Sequence, residues 1–228
     1  MMTLAQPIRA ARRHLGRRIA PPISIAQIFP SIEAELGPYK HLFKGNVLNA
    51  GAGTRDLAAL VEGRLYNQDI AELGENIDFV SPLHEIPTAD AFFDTIICNA
   101  VLEHVANPEE VMDEFRRVIV PGGILYLTIP FMQPEHRDPT DYQRYTIDGI
   151  KLLCERHGFR VLEAHGVHSV YTTLAWIFHE WLEPVRGWRG VAMRAIAYRW
   201  VMSQIRADNP RRVATLASAH RVIAVREG

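Results

Sequence analysis

The sequence has 228 residues, of which 48% are hydrophobic, and its 25 Lys and Arg residues are nearly balanced by 26 Asp and Glu residues. This hydrophobic fraction is enough for one large domain with a packed core. The net charge of -1 gives no general attraction to nucleic acid, so we expect no nucleic-acid partner. The two cysteines, Cys98 and Cys154, form no CxxC pair, which indicates neither a disulfide framework nor a zinc site.

Residues 1–22 are arginine-rich and are predicted to be a partly ordered basic arm, whereas residues 23–228 form the main domain. The arm has no apolar segment behind its arginines, so a secretory signal is not expected. No apolar run is long enough to span a bilayer, and a cytoplasmic location is the expectation.

From residue 45 onward, short apolar runs alternate with helical patterns. Helices are predicted at 24–36 (interrupted at Pro30), 54–62, 107–119 and 147–157. Strands are predicted at 46–50, 64–68, 77–80, 94–98, 124–129, 160–165 and 219–225. The alternation predicts an α/β fold with a parallel sheet that is covered on both faces. Residues 168–206, before the last strand, are predicted to be a helical insertion or cap.

Three features point to a nucleotide-type site. Gly51-x-Gly53 follows a buried strand directly, and a helix is predicted to begin there with free N–H groups. Asp69 ends the second strand, where a carboxylate can accept hydrogen bonds from ribose hydroxyls. The segment 93–104 contains another strand and the loop after it, which lies at the same edge of the sheet.

In this region the sequence resembles the class I S-adenosylmethionine-dependent methyltransferases, in particular the type 11 group. The resemblance covers about half the chain, within 46–165, and its pieces occur in the expected order. They are Val47-Leu48-Asn49-Ala50-Gly51-Ala52-Gly53-Thr54, Asp69-Ile70, Ile86-Pro87 with Phe93-Asp94, Val101-Leu102-Glu103-His104-Val105, and Phe115-Arg116-Arg117-Val118 leading to Pro121-Gly122-Gly123.

The resemblance implies a three-layer Rossmann-like fold with a seven-stranded sheet, mostly parallel, whose last strand is antiparallel. It also implies S-adenosylmethionine as cofactor. Gly51, Ala52 and Gly53 would border its methionine part, and Asp69 would hold the ribose. Ile70 and Leu83 would line the adenine, and Asn99 and Ala100 would close over the methionine end. The cofactor-binding residues implied in this way are Asn49, Ala50, Gly51, Ala52, Gly53, Asp69, Ile70, Leu83, Asn99 and Ala100.

Three positions depart from the family pattern. Asn49 stands where the family usually has an acid that holds the donor's amino group, and Arg55 replaces the third glycine. Pro82 replaces an acid that often precedes the adenine-lining residue. These departures keep open the alternative of a non-catalytic scaffold or donor-binding partner protein. A nicotinamide oxidoreductase ranks last, because the three-glycine fingerprint and a Tyr-x-x-x-Lys relay are both absent from the sequence.

The loop after strand 124–129 should overhang the reacting methyl group. A neutral imidazole is available near neutral pH, so His136 is the candidate base, with Asp141 as its orienting partner or as the base itself. Arg144 is a candidate for binding an acidic acceptor, together with Tyr142 and Tyr145. The alternative is that Asp141 and Arg144 pair and hold the loop, while both tyrosines pack. Glu103 and His104 are interpreted first as residues that hold their loop in shape.

The remaining histidines show no ligand spacing, so no metal is predicted. The insertion contains all four tryptophans and is interpreted as a cap over the acceptor; a homodimer interface and a peripheral membrane helix are the alternatives. The predicted activity is therefore methyl transfer to a small or lipid-linked acceptor, at oxygen.

Overall fold

The computed structural model describes residues 28–73, 76–185, 187–207 and 214–228, and the basic arm predicted at 1–22 lies outside these ranges. Residues 24–27 of the predicted lead-in helix also lie outside them. The described part of that segment contains a short helix, α1, at Ile32–Leu36. Its N-cap is Ser31, whose hydroxyl accepts a hydrogen bond from the backbone N–H of Ala34 at 3.3 Å.

Seven strands form a single sheet in the order β3-β2-β1-β4-β5-β7-β6. The strands are β1 Lys44–Ala50, β2 Glu62–Asp69, β3 Phe79–Val80, β4 Phe93–Asn99, β5 Ile119–Pro130, β6 Phe159–Val167 and β7 Ala219–Arg226. β7 pairs antiparallel with both β5 and β6, and the other pairs are parallel. The predicted fold class is confirmed, including the antiparallel last strand.

Consecutive residues of the central strands enter separate cores on the two faces of the sheet. The longer helices are α2 Pro108–Val118, α3 Ile147–Arg156, α4 Val170–Leu182 and α5 Gly187–Ala207. Leu48 and Ile96 pack in one core with residues of α2 and α3. Val47 and Ile97 pack in the other core with residues of α1 and the turn after it. Because side chains alternate along a strand, this arrangement gives the expected three layers.

The prediction of a helix at 54–62 is wrong. The chain after Gly53 forms an irregular loop and a single 3-10 turn at Ala58–Leu60, and β2 already begins at Glu62. Two side chains compete with a helix here. Asp56 accepts a hydrogen bond from the backbone N–H of Ala58 at 2.9 Å, and Arg55 folds back onto the backbone carbonyls of the loop. The helix N-terminus expected at the glycine motif is therefore absent from this described stretch.

The other helices follow the predictions. α2 and α3 lie within the predicted ranges 107–119 and 147–157, and the hydroxyl of Thr146 caps α3 by accepting from the backbone N–H of Gly149 at 3.1 Å. Asn107 occupies the N-cap position of α2, but its side chain makes no capping hydrogen bond. The insertion predicted at 168–206 consists of α4 and α5. Of the helices that the structure describes, none combines the length and apolarity needed to cross a bilayer.

Candidate functional site

The ends of three neighbouring strands define a crevice. Ala50 of β1 is level with Gln68 of β2 and with Cys98 of β4. The strands are parallel, so the residues that follow, Gly51 and Asn99, lie at the same edge as Asp69. The order of the sheet reverses between β1 and β4, which is where open α/β sheets bind ligands.

The glycine loop uses backbone conformations that other residues rarely adopt. Gly51 and Gly53 have φ values of 66° and 56°. A Cβ on Gly51 would lie 2.5 Å from Cγ1 of Val101, so only glycine permits this packing, whereas a Cβ on Gly53 would meet nothing within 4 Å. The loop is also held by Gln68, whose side-chain oxygen accepts a hydrogen bond from the backbone N–H of Gly51 at 3.1 Å. Gln68 is not among the residues predicted for the site, although its position directly before Asp69 places it at the same edge of the sheet.

Asp69 points at the glycine loop. The residue is only 7% exposed, and its Oδ2 accepts a hydrogen bond from the backbone N–H of Gly53 at 2.8 Å. Its Oδ1 accepts from the backbone N–H of Ala71 at 3.2 Å. Each carboxylate oxygen can accept more than one hydrogen bond, so Asp69 retains acceptor capacity for two hydroxyl groups.

Several of the remaining predicted donor residues also lie at this edge. Leu83 is 8% exposed and Ile70 is 70% exposed, so one is a core residue and the other offers an apolar surface. Oδ1 of Asn99 is buried without a hydrogen-bond partner, and Ala100 has a φ of 54°. A buried acceptor at the end of β4 that has no partner among the described residues suits a ligand with hydrogen-bond donors, so these residues fit the predicted cofactor.

Asn49 is turned toward the neighbouring strand. Its Nδ2 donates a hydrogen bond to Oδ1 of Asn67 at 2.9 Å, and the residue is buried. An uncharged amide pair therefore stands where the family usually has an acid. Ala50 and Ala52 are also buried and leave the edge of the sheet free of bulky side chains.

Arg55 closes one end of the crevice. Its Nη2 donates a hydrogen bond to the carbonyl of Gly51 at 3.0 Å, and its Nη1 donates to the carbonyl of Asn99 at 2.6 Å. The guanidinium thus joins the glycine loop to the end of β4. A small cleft of about 130 Å³ opens beside this loop, lined by Ala52, Gly53, Thr54, Arg55, Asp56, Asn67, Leu73, Asn76 and Ile77.

The loop after β5 contains the predicted acceptor residues. Asp141 accepts hydrogen bonds from Nη1 of Arg144, from Nη2 of Arg144 at 2.6 Å, and from the backbone N–H of His136 at 2.8 Å. Arg144 lowers the pKa of Asp141 to about 2, so this carboxylate is a poor proton acceptor. The contacts match the alternative in which Asp141 and Arg144 hold the loop, and their catalytic and binding roles stay predictions.

The two tyrosines of this loop differ. Tyr142 is exposed, and its backbone N–H donates to the carbonyl of Glu103 at 2.8 Å. Tyr145 packs against the core, and its hydroxyl donates to Oε1 of Gln143 at 3.1 Å. Burial raises the pKa of Tyr145 to about 12, so it stays neutral near neutral pH. An exposed ring is the better placed of the two to meet an acceptor.

His136 meets Glu103 and His104, which come from the loop after β4. Nε2 of His136 lies 3.6 Å from Oε1 of Glu103, and Nε2 of His104 lies 3.7 Å from the same oxygen. Glu103 raises the pKa of His136. The ring of Trp176, on α4, lies 5.2 Å from the ring of His136, so part of the insertion covers this cluster. Sequence spacing could not reveal the cluster, because Glu103 and His104 follow β4 whereas His136 follows β5, with a helix and a strand between them in the sequence.

Comparison with known proteins finds similarity to methyltransferases. Residues 49–127 match the family model described as a methyltransferase domain. The thiol S-methyltransferase TMT1B of Rattus norvegicus is 30% identical over 79 residues, which are 35% of this chain and 29% of that protein. The matched stretch thus spans less than a third of this curated relative.

Solved structures share the fold at low sequence identity. The [4+2]-cyclase SpnF has a TM-score of 0.59 with 18% identity, covering 86% of this chain and 80% of that one. A SAM-dependent methyltransferase from Archaeoglobus fulgidus has a TM-score of 0.56 with 17% identity, covering 86% and 93%. Phosphoethanolamine N-methyltransferase 2 of Haemonchus contortus, in complex with S-adenosyl-L-methionine, has a TM-score of 0.56 with 13% identity, covering 91% and 58%. These similarities concern the fold.

Proposed function

We propose that this chain is a class I S-adenosylmethionine-dependent methyltransferase that transfers a methyl group from S-adenosylmethionine to a small acceptor. The observation that carries the proposal is the 2.8 Å hydrogen bond from Gly53 to Asp69, which brings a glycine-permitted loop and a buried carboxylate to one edge of the sheet. Glycines allow close approach of a ligand to the backbone, and a carboxylate there suits ribose hydroxyls.

Different residues of the crevice would bind different parts of the donor. S-adenosylmethionine supplies an electrophilic methyl group on a sulfonium centre. Asp69 would accept from the ribose hydroxyls, while Ile70 and Leu83 would border the adenine. Arg55 is the cation at the other end of the crevice, next to the carbonyls of Gly51 and Asn99. A guanidinium in this place would bind the methionine carboxylate. Its hydrogen bonds to backbone carbonyls would then be replaced by hydrogen bonds to the charged carboxylate.

The acceptor side is formed by the loops that follow β4 and β5. Because both loops leave the carboxyl edge of the sheet, Glu103, His104 and His136 lie on the same side as the glycine loop. We propose that the acceptor presents a hydroxyl or a thiol, since these nucleophiles must lose a proton and the cluster is the group able to promote that loss. A thiol acceptor has support from the name of the rat relative, and oxygen is the expectation from the sequence.

The helical insertion is proposed to cover the acceptor. Trp176 contacts His136, whereas the rings of Trp181 and Trp188 are exposed on the outer side of the two helices. The two helices thus contact the cluster on one side and expose apolar rings on the other. This arrangement favours the interpretation of the insertion as a cap. Homodimer formation and a lipid-linked acceptor at a membrane surface are the further uses that the outer face would allow.

Isothermal titration calorimetry with S-adenosylmethionine tests the proposal. The wild-type chain should bind saturably, and Asp69→Asn should weaken binding roughly tenfold to a hundredfold, because it removes charge-assisted hydrogen bonds while keeping an acceptor for Gly53. Asp148→Asn is the matched control, because this carboxylate is exposed on α3, and it should bind like the wild type. Equal affinity of Asp69→Asn and the wild type would remove Asp69 from the donor site.

A non-catalytic scaffold or donor-binding partner protein is the second candidate. It is favoured by Asn49, whose uncharged side chain is engaged with Asn67, and by Arg55, which closes the crevice. The similarity to a cyclase also illustrates that a fold does not fix the reaction. A wild-type chain that binds no S-adenosylmethionine in the same titration would favour the scaffold, and binding without turnover of any hydroxyl or thiol acceptor would favour the donor-binding partner.

A further inference from the structure

Glu103, His104 and His136 form a cluster whose polar atoms face each other without bonding. Glu103 is 0% exposed, and neither of its carboxylate oxygens has a hydrogen-bond partner among the residues that the structure describes. The distances of 3.6 and 3.7 Å from Oε1 to the two Nε2 atoms are too long for hydrogen bonds. One ligand atom from each residue lies within 4.8 Å of the others. A fully buried carboxylate is costly unless something compensates its charge.

The second nitrogen of each imidazole is held by the backbone. Nδ1 of His104 contacts the carbonyl of Thr140, and Nδ1 of His136 contacts the carbonyl of Pro134 at 3.1 Å. Nη2 of Arg144 also lies 3.4 Å from Nδ1 of His136, but the carbonyl of Pro134 is closer. A carbonyl oxygen only accepts, so each Nδ1 carries the hydrogen and each neutral ring presents the Nε2 lone pair to Glu103. Metal-binding histidines are commonly oriented in this way by a backbone carbonyl.

We propose that Glu103, His104 and His136 bind a divalent transition-metal ion, with zinc as the best match, beside the donor crevice. Zinc–nitrogen distances of about 2.0–2.1 Å put neighbouring ligands roughly 3.3 Å apart in a tetrahedral site. The observed separations of 3.6 and 3.7 Å from Glu103 are close to this value, and the ligand atoms of the two histidines lie within 4.8 Å of each other, so the side chains would have to move inward to bind an ion. Two imidazoles and one carboxylate leave a coordination position open, which is the pattern of catalytic sites and not of structural ones.

A simple ion pair accounts less well for the cluster. Three other histidine–acid pairs among the described residues lie closer, at 2.6 Å for His157 with Asp113, 2.9 Å for His165 with Glu163 and 3.4 Å for His168 with Glu35. In the Glu103 cluster two imidazoles share one carboxylate, and both lie farther from it than the histidine does in any of these three pairs. A cation between them would compensate the buried charge and explain the separation.

The open position gives the site a function, and this part of the inference rests on the proposed methyl transfer. A cation there would favour the deprotonated form of an acceptor hydroxyl or thiol, whose proton would leave to solvent. The oxygen or sulfur lone pair would then form the bond to the methyl carbon as the carbon–sulfonium bond breaks and its electron pair stays on sulfur. The products are the methylated acceptor and S-adenosylhomocysteine. His136 would hold the ion, which replaces its predicted role as base.

Metal titration of the full chain tests the site. After treatment with a chelator and dialysis, Zn²⁺ is added in a calorimeter and Co²⁺ is added with visible absorption as the readout. The wild type should bind one ion per chain and give the intense d–d absorption of a low-coordinate cobalt site. His104→Ala and His136→Ala should each weaken binding by more than about tenfold. His157→Ala, which removes the histidine that pairs with Asp113, should bind like the wild type.

Glu103→Gln keeps the proposal testable if a histidine variant fails to fold. This nearly isosteric change should abolish metal binding and leave the metal-free protein at least as stable, because a buried charge is removed. Absence of saturable binding in the wild type, or unchanged binding in Glu103→Gln, would overturn the site. S-adenosylmethionine titrations of the same samples separate the two proposals: metal binding without donor binding refutes the methyl transfer alone, and donor binding without metal binding refutes the metal site alone.

Discussion

Arg55 holds the irregular loop that stands where a helix was predicted, and its removal should lower the free energy of unfolding. Its guanidinium donates to the carbonyls of Asn99 and Gly51 at 2.6 and 3.0 Å, with a weaker third contact to Ala52 at 3.4 Å. A hydrogen bond from a charged donor contributes about 1.5–3 kcal/mol, and partial exposure of Arg55 reduces the sum. We therefore expect Arg55→Ala to lower the free energy of unfolding by about 2–3 kcal/mol.

Urea and thermal denaturation followed by circular dichroism measure this loss. For a chain of this size, the expected change corresponds to a fall in the melting temperature of roughly 5–10 °C. Arg137→Ala is the matched control, because this arginine is exposed and pairs only with the exposed Glu135, and it should change stability by less than about 0.5 kcal/mol. If Arg55→Ala is as mild as Arg137→Ala, the guanidinium does not hold the two loops together.

Three further predictions concern the frame of the sheet, and each is measured by urea denaturation. A Cβ at Gly63 would lie 2.2 Å from the carbonyl oxygen of Gly45, so Gly63→Ala should cost more than about 2 kcal/mol, whereas Gly37→Ala, with open space around it, should be nearly neutral. Leu48 is fully buried in the central strand, and Leu48→Ala should cost about 2–5 kcal/mol. Burial lowers the pKa of His220 to about 4, so the folded state resists its protonation. Stability should fall by about 2 kcal/mol between about pH 7 and about pH 5, and less in His220→Phe.

Specific outcomes would contradict these three predictions. Equal losses of unfolding free energy for Gly63→Ala and Gly37→Ala would mean that β2 can move away from β1 at Gly63 to make room for the added Cβ. A Leu48→Ala cost below about 1 kcal/mol would mean that the core collapses around the deletion. Parallel pH profiles for the wild type and His220→Phe would show that this imidazole titrates alike in the folded and unfolded chains.

The positions of the strands could be predicted from the sequence, whereas their order in the sheet was not predicted. Apolar runs such as 46–50 and 94–98 coincide with β1 and β4, because buried parallel strands need continuous apolar residues. The antiparallel last strand came from the family resemblance and not from periodicity. Asp69 and the glycine loop were also predicted together, since parallel strands bring their carboxyl ends to one edge.

The errors and omissions arose where side chains from distant segments act on the backbone. Residues 54–62 have helical spacing, but Arg55 satisfies carbonyls of Gly51 and Asn99 that lie in two different loops, and a local pattern does not contain Asn99. His136 joins Glu103 only through the adjacency of β4 and β5. Metal-ligand spacing within one element could not have indicated that cluster.

A crystal structure of the chain with S-adenosylhomocysteine would test the central claim most directly. We predict that the ribose hydroxyls lie within hydrogen-bond distance of the Asp69 carboxylate and that the amino-acid end lies between Gly51 and Asn99. A ligand bound elsewhere, or a crevice that stays closed by Arg55 at saturating ligand, would contradict the proposed donor site.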